Sequence, residues 1–183
     1  MAIGVYPGSF NPPTIAHLAI ARAAVEQCGL ERVDLVLSRG ALGKDEGDLV
    51  AIEHREAVLR AVAATRPWLG VRVTHARLLG EIADGYDVLV LGADKWLQIN
   101  ELHWYGGSVE ARDEALAALP RLAAVVRPPH PPDALPADAT ILVVDEVHLE
   151  VSATGARAGR REWMVPEARA FDDRTGAWTR RGT

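Results

Sequence analysis

Apolar residues fall along this chain in short dense runs, and between the runs they recur at helical spacing. Ala2 to Tyr6 is the first run and predicts a strand, ended by Pro7-Gly8. From Thr14 the spacing changes: Ile15, Leu18, Ala19, Arg22, Ala23 and Val25 recur as on a helix, and Gly29 supplies its stop. Val33 to Ser38 is a second strand. Strand, helix and strand within about 35 residues make a βαβ unit, whose right-handed crossover gives a parallel pair. Ala51 to Thr65 predicts a second helix, Gly70 to Thr74 a third strand and His75 to Ala83 a short helix. Tyr86 to Leu91 is almost wholly apolar, as a central strand covered on both faces must be. Val109 to Leu119 is helical up to Pro120, and Leu122 to Val126 and Thr140 to Val144 are further strands across a rigid stretch, Pro128-Pro129-His130-Pro131-Pro132. The alternation predicts an open α/β sheet.

Composition narrows this picture. The chain has 183 residues, 49% of them hydrophobic, enough for one full core, so residues 1–183 are read as one domain. From Asp172 onward the sequence is polar and Gly-containing, and the expectation is a mobile tail. A net charge of −5 with interspersed signs gives no polyanion-binding surface, so no nucleic-acid partner is expected. Pro7-Gly8 and Asn11-Pro12-Pro13 break the N-terminal apolar run too early for a signal peptide, and no run approaches the roughly 20 residues of a membrane span. The expectation is a cytoplasmic protein with no membrane partner; self-association is left open. The lone Cys28 belongs to no intrachain disulfide, and the six histidines are scattered, with no zinc-type cluster. Gly-x-Gly-x-x-Gly and Walker loops are absent, which disfavours a dinucleotide dehydrogenase and a P-loop kinase.

Candidate chemistry concentrates at strand ends. After the first strand, Gly8-Ser9-Phe10-Asn11-Pro12-Pro13-Thr14 leads into a helix, and such a loop offers backbone N–H groups to an anion. Thr14 can cap that helix and shares a face with His17, so two side-chain donors and the loop amides can meet one phosphate chain. Lys44, in the polar loop from Arg39 to Leu49, is a phosphate contact or a solvated surface charge. Gly92 and Asp94 end the central strand, where a carboxylate can hold ribose hydroxyls and also cap the next helix. Trp96, Trp104 and Tyr105 follow; they can stack on a planar ring or anchor a loop to the core. In Val151-Ser152-Ala153-Thr154-Gly155-Ala156-Arg157, Ser152 or Thr154 can cap a helix and Arg157 offers a forked phosphate donor.

The stretch from Gly8 to His17 resembles the first signature of the nucleotidyltransferases that carry a (His/Thr)-x-Gly-His motif. The Ser152–Arg157 segment resembles their Ile-Ser-Ser-Thr-x-Ile-Arg signature. The resemblance runs from Ile3 to about Glu167 in the right order. It implies a Rossmann-like, doubly wound, mainly parallel sheet flanked by helices, and transfer of AMP from ATP to a small phosphate monoester with release of pyrophosphate. In that chemistry His17 and Thr14 would hold the bridging and transferred oxygens. Lys44, Ser152, Thr154 and Arg157 would hold the rest of the triphosphate, with the Gly8, Ser9 and Phe10 loop around it. Gly92 and Asp94 would face a ribose. Mg²⁺ would come bound with ATP, shared with phosphate oxygens and water and with no metal cage from the protein.

The acceptor is drawn from two sides. Tyr6-Pro7-Gly8-Ser9-Phe10 looks like pantetheine-phosphate adenylyltransferase. Tyr86 to Asp94, Arg127-Pro128 and Trp163-Met164-Val165-Pro166-Glu167 look like the nicotinate and nicotinamide mononucleotide adenylyltransferases, with Trp104 and then Trp96 as ring-stacking candidates. The larger group of features favours the pyridine mononucleotide. Three departures mark the chain: Ala16 for the usual glycine, Ala153 and Ala156 for Ser and Ile, and no Thr-Asp-Thr segment between Thr74 and Asp84. They leave room for a divergent relative with another acceptor, and a relative with weakened signatures that binds nucleotides without turnover is the competing reading.

Overall fold

The computed structural model describes residues 1–39, 50–128, 133 and 135–179, so Lys44 lies outside the described residues. The chain alternates as its hydrophobic pattern requires. Strands β1 (Ile3–Pro7), β2 (Arg32–Ser38), β3 (Leu69–Thr74), β4 (Val88–Gly92), β5 (Arg121–Val125) and β6 (Thr140–Ile141) form one sheet in the order β3-β2-β1-β4-β5-β6. Every pairing between these strands is parallel; Tyr6 lies opposite Leu35 and Val5 opposite Leu89. The sheet is thus fully parallel among the described residues and Rossmann-like in order.

Successive strand residues enter two separate cores. Tyr6, Leu35, Leu37, Val88, Val90, Ala123 and Val125 point to one, and Val5, Val36, Leu89, Leu91, Leu122 and Ala124 to the other. Both faces are buried, which is why these strands read as continuous apolar runs rather than alternating ones. Helices α1 (Ile15–Cys28), α2 (Ile52–Ala63), α6 (Ala153–Arg157) and α7 (Pro166–Thr175) bring residues to the first core. Helices α3 (Leu79–Ala83) and α4 (Ala93–Ile99) bring residues to the second, and Leu119, just beyond α5 (Val109–Ala117), packs there too. Helix α1 buries Ala16, Ile20, Ala21, Ala23 and Ala24. Four of these are alanines, so the helix lies close over the ends of the central strands.

Two expectations are corrected. The last strand ends at Ile141 rather than Val144; beyond it Val143 pairs with a side chain, as Gln27 donates to its carbonyl at 2.7 Å and accepts from its N–H at 3.0 Å. A glutamine amide thereby occupies backbone groups that a further strand would need at this edge. The tail also departs from the loose polar extension expected from Asp172. Asp172 lies inside α7 and is buried, and Trp178 is only 2% exposed, its ring packed against Phe171 at 5.4 Å. Polarity along the tail misled because Asp172 spends its carboxylate locally. It accepts from the Trp178 N–H at 2.8 Å, the Thr179 N–H at 3.2 Å and the Thr179 hydroxyl at 2.6 Å, and it faces Arg161 at 3.4 Å.

Burial pushes the Asp172 carboxyl up, but these hydrogen bonds and the Arg161 charge outweigh it and hold the group below the ordinary carboxylate range. A carboxyl whose folded pKa is depressed stabilises the fold above its unfolded value, and that contribution is lost as pH falls through the folded value. Urea midpoints measured from about pH 6 to about pH 3 should therefore decline on the acid side, and Asp172→Asn should flatten that decline. An equal acid slope in the variant would show that Asp172 is not a source of it.

Candidate active site

The site begins where β1 meets β4. Connections from these neighbouring strands leave in opposite directions, and the crevice between them opens at their carboxyl ends, above Pro7 and Gly92. Gly8 donates to the Val36 carbonyl at 3.1 Å and starts the loop. Phe10 then turns with a φ of +45°, a conformation that costs a residue with a Cβ on the order of 1 kcal/mol. Its ring holds it there: Phe10 is 1% exposed and meets Tyr6 at 5.7 Å and His17 at 5.1 Å, both edge to face. Phe10 is therefore a core anchor, and its side chain is not a ligand contact. A Cβ on Gly8 would stand 2.8 Å from that ring, so glycine is required here by the protein's own packing.

The loop is braced at Asn11, which is 3% exposed. Its side-chain oxygen accepts from the Val50 N–H at 3.2 Å and from the Trp178 indole at 2.8 Å, and its backbone carbonyl accepts from Arg157. Arg55, also buried, donates to the carbonyls of Val50 at 2.7 Å and Ser9 at 2.8 Å. Val165 donates to the Pro13 carbonyl at 3.2 Å from the opposite side. The sequence reading gave no role to Asn11, Arg55 or Trp178. A tryptophan in an otherwise polar tail was the one signal available for Trp178.

Thr14 and His17 form a closed pair at the start of α1. The Thr14 side chain accepts from the His17 N–H at 3.4 Å, while His17 Nδ1 lies 2.9 Å from both the N–H and the hydroxyl of Thr14. A backbone N–H can only donate, so Nδ1 is the accepting nitrogen and the ring proton of the neutral imidazole resides on Nε2. The capping box thus fixes both the tautomer and the orientation of the ring, with the Phe10 edge limiting its rotation.

The second signature reaches the same loop. Ser152 caps α6 by accepting from Gly155 at 3.0 Å, and Arg157 donates to Thr154 Oγ1 at 3.3 Å as well as to Asn11. Arg127, at the end of β5, donates to the Val151 carbonyl at 3.2 Å. Burial pushes the Tyr6 phenol up, the Arg127 charge pulls it back and Asp94 adds to the rise. The Asp94 side chain folds back over Gly92, where a Cβ would collide with its carboxylate. Gly8, Ser9, Thr14, His17, Gly92, Asp94, Ser152, Thr154 and Arg157 are brought to one sheet edge.

Beside this edge lies a largely apolar cavity of about 330 Å³. Gly8, Ser9, Lys95, Trp104, Tyr105 and Leu119 are among the residues that line it. Trp104 is held by its indole, which donates to the Gln98 carbonyl at 3.0 Å, and Tyr105 by its hydroxyl, which donates to the Ile99 carbonyl at 2.7 Å. Trp96 is not among the lining residues. It packs against the second core, which corrects its candidacy as a stacking ring: Trp96 lies on α4, whereas Trp104 and Tyr105 come from a separate 3-10 turn, Leu102–Tyr105, that brings both to the cavity.

The cytidylyltransferase-like family model matches residues 5–159, and the chain belongs to that family of nucleotidyltransferases. A protein of Salinibacter ruber named "Probable nicotinate-nucleotide adenylyltransferase" is 28% identical over 94% of this chain and 95% of its own length. A phosphopantetheine adenylyltransferase of Dinoroseobacter shibae is 41% identical over 64 residues, 35% of this chain and 34% of its own. In three dimensions, the nicotinic acid mononucleotide adenylyltransferase of Plasmodium falciparum, solved with NaAD, superimposes with a TM-score of 0.71 over 97% of each chain at 15% identity, a likeness of fold.

The brace makes a quantitative prediction. Asn11→Ala would strand the buried Val50 and Trp178 donors and should lower stability by about 2 to 4 kcal/mol, whereas Trp178→Phe, which keeps most of the ring, should cost about 1 kcal/mol. Chemical denaturation of both variants measures this. Equal costs would place the energy in ring packing instead of in the Asn11 oxygen.

Proposed function

We propose that this chain transfers the adenylyl group of ATP to a pyridine mononucleotide, releasing pyrophosphate. The observation that carries the reading is the convergence of the Thr14–His17 pair and Arg157 on one braced loop, next to an apolar cavity that holds Trp104. In the proposed reaction a phosphate oxygen of the mononucleotide attacks the α-phosphorus in line, a new P–O bond forms, and the bond to the bridging oxygen breaks. No covalent enzyme intermediate is needed. The residues position both reactants and meet the charge that builds on the leaving group. His17 Nε2–H is the donor for the bridging oxygen and Thr14 orients it. Arg157, Ser152 and Thr154 receive the outer phosphates, and Lys44, outside the described residues, is taken as a further contact. The Gly8 and Ser9 backbone supports the phosphate chain, and Asp94 over Gly92 receives a ribose.

Among the described residues, no group of three or more His, Cys, Asp or Glu side chains is placed to hold a metal ion. In the proposed reaction Mg²⁺ enters with ATP, ligated by phosphate oxygens and water, and offsets the triphosphate charge. No helix among the described residues is long and apolar enough to cross a membrane. Residues 1–183 are proposed to work as a single domain in the cytoplasm, where ATP is supplied. The relative from Salinibacter ruber supports the pyridine acceptor, and that from Dinoroseobacter shibae supports pantetheine phosphate as the second reading.

Pyrophosphate release with ATP, Mg²⁺ and each of nicotinate mononucleotide, nicotinamide mononucleotide and pantetheine phosphate tests the proposal. Turnover with a pyridine substrate is expected; preference for pantetheine phosphate would move the assignment, and ATP binding without turnover on any acceptor would make the chain a nucleotide binder. His17→Ala should lower kcat by about 10²- to 10³-fold with far less effect on ATP affinity, because its donor acts most on the charge that develops at the transition state. A raised ATP requirement at unchanged kcat would make His17 a ground-state contact. Trp104→Ala should raise the KM of the mononucleotide several-fold, as loss of about 1 kcal/mol of ring stacking implies, and spare that of ATP. Indifference of the mononucleotide KM would remove Trp104 from the ring site.

A further inference from the structure

The phosphate chemistry leaves one half-buried cation unexplained. Lys95, in the first turn of α4, lines the apolar cavity, and its Nζ donates to Gln98 Oε1 at 2.6 Å. That partner is a neutral amide. Among the described residues no carboxylate forms an ion pair with Lys95. Burial draws its ammonium below the usual lysine value, and Asp94 on the same turn opposes the shift. The other charged side chains along this cavity are Arg77 and Glu81. The Glu81 carboxylate already accepts from the Arg77 N–H at 3.2 Å and the Leu78 N–H at 3.3 Å, at the start of α3.

The placement of Lys95 relative to Trp104 is fixed by one residue. Gln98 accepts from Lys95 through its side chain and from the Trp104 indole through its backbone carbonyl at 3.0 Å, so cation and ring share a wall. The mononucleotide phosphate is the attacking group in the proposed reaction. It must reach Thr14 and His17, which do not line this cavity; of the phosphate-binding loop only Gly8 and Ser9 do, whereas Lys95 shares its wall with the Trp104 ring. The group that meets Lys95 therefore belongs to the ring end of the substrate.

Resting on the reading above, we propose that Lys95 is a specificity-determining residue that receives a carboxylate carried by the planar ring on Trp104, so that the acid form of the pyridine mononucleotide is preferred over the amide. In a largely apolar cavity a carboxylate gives the ammonium a charge-assisted hydrogen bond and cancels its charge. A carboxamide offers a weaker acceptor and leaves the cation half-buried without a counter-charge.

The test is the ratio of kcat/KM for nicotinate mononucleotide to that for nicotinamide mononucleotide, measured in the wild type, Lys95→Met and Lys95→Arg. Methionine keeps an unbranched apolar stem and removes the charge. Each ratio is taken within one protein, so a smaller folded fraction cancels. The wild type should favour the acid, Lys95→Met should lower the ratio by about 10- to 100-fold, the range lost with a hydrogen bond to a charged group, and Lys95→Arg should restore most of it. An unchanged ratio in Lys95→Met, or a wild type that favours the amide, would overturn the proposal. A wild type that adenylylates pantetheine phosphate and neither pyridine is a separate result, which removes the parent reading and this one with it.

Discussion

The structure depends on holding one short loop rigid at the end of β1. The carbonyls of this loop are satisfied from distant parts of the chain and not from within it. The Ser9 carbonyl is taken by Arg55 of α2, the Asn11 carbonyl by Arg157 of α6 and the Pro13 carbonyl by Val165, while the Asn11 side chain binds the Trp178 indole. Helices far apart in sequence thereby close on seven residues from Gly8 to Thr14. The positive φ at Phe10 is sustained by the same enclosure, because the ring that would relieve it is locked between Tyr6 and His17.

This arrangement divides the crevice by chemistry. One end is polar, with the fixed imidazole, the guanidinium of Arg157 and the caps of α1 and α6. The other is a largely apolar cavity with a restrained tryptophan and a single lysine held by an amide. A substrate with a phosphate at one end and a flat ring at the other matches that division. Family membership supplies the class of reaction; the division narrows the acceptor.

The tail has a physical role that its composition conceals. Asp172 gathers the N–H groups of Trp178 and Thr179 into a tight turn, and the turn delivers the indole to Asn11. A charge buried for this purpose needs several donors, and it has them from backbone, hydroxyl and Arg161.

By itself the sequence determined the order of strands and helices, because two-sided burial in a parallel sheet writes continuous apolar runs that need no partner to be recognised. It also determined the Thr14–His17 pair, which lies within one helical turn, and the likeness of the Ser152–Arg157 segment to a known signature. Only the tertiary structure decided what lies between distant residues. Trp178 and Asn11 are 167 positions apart, and no local periodicity links them. Trp96 and Trp104 have the same composition signal and opposite fates, since one enters the second core and the other a cavity. Phe10 and Lys95 differ in the same way: the side chain of Phe10, in the expected phosphate loop, is a core anchor, and Lys95, to which the sequence pattern assigns no role, stands in the cavity. Local patterns report which face of an element is apolar, whereas a site is made where several elements end, and that meeting point is a property of the fold.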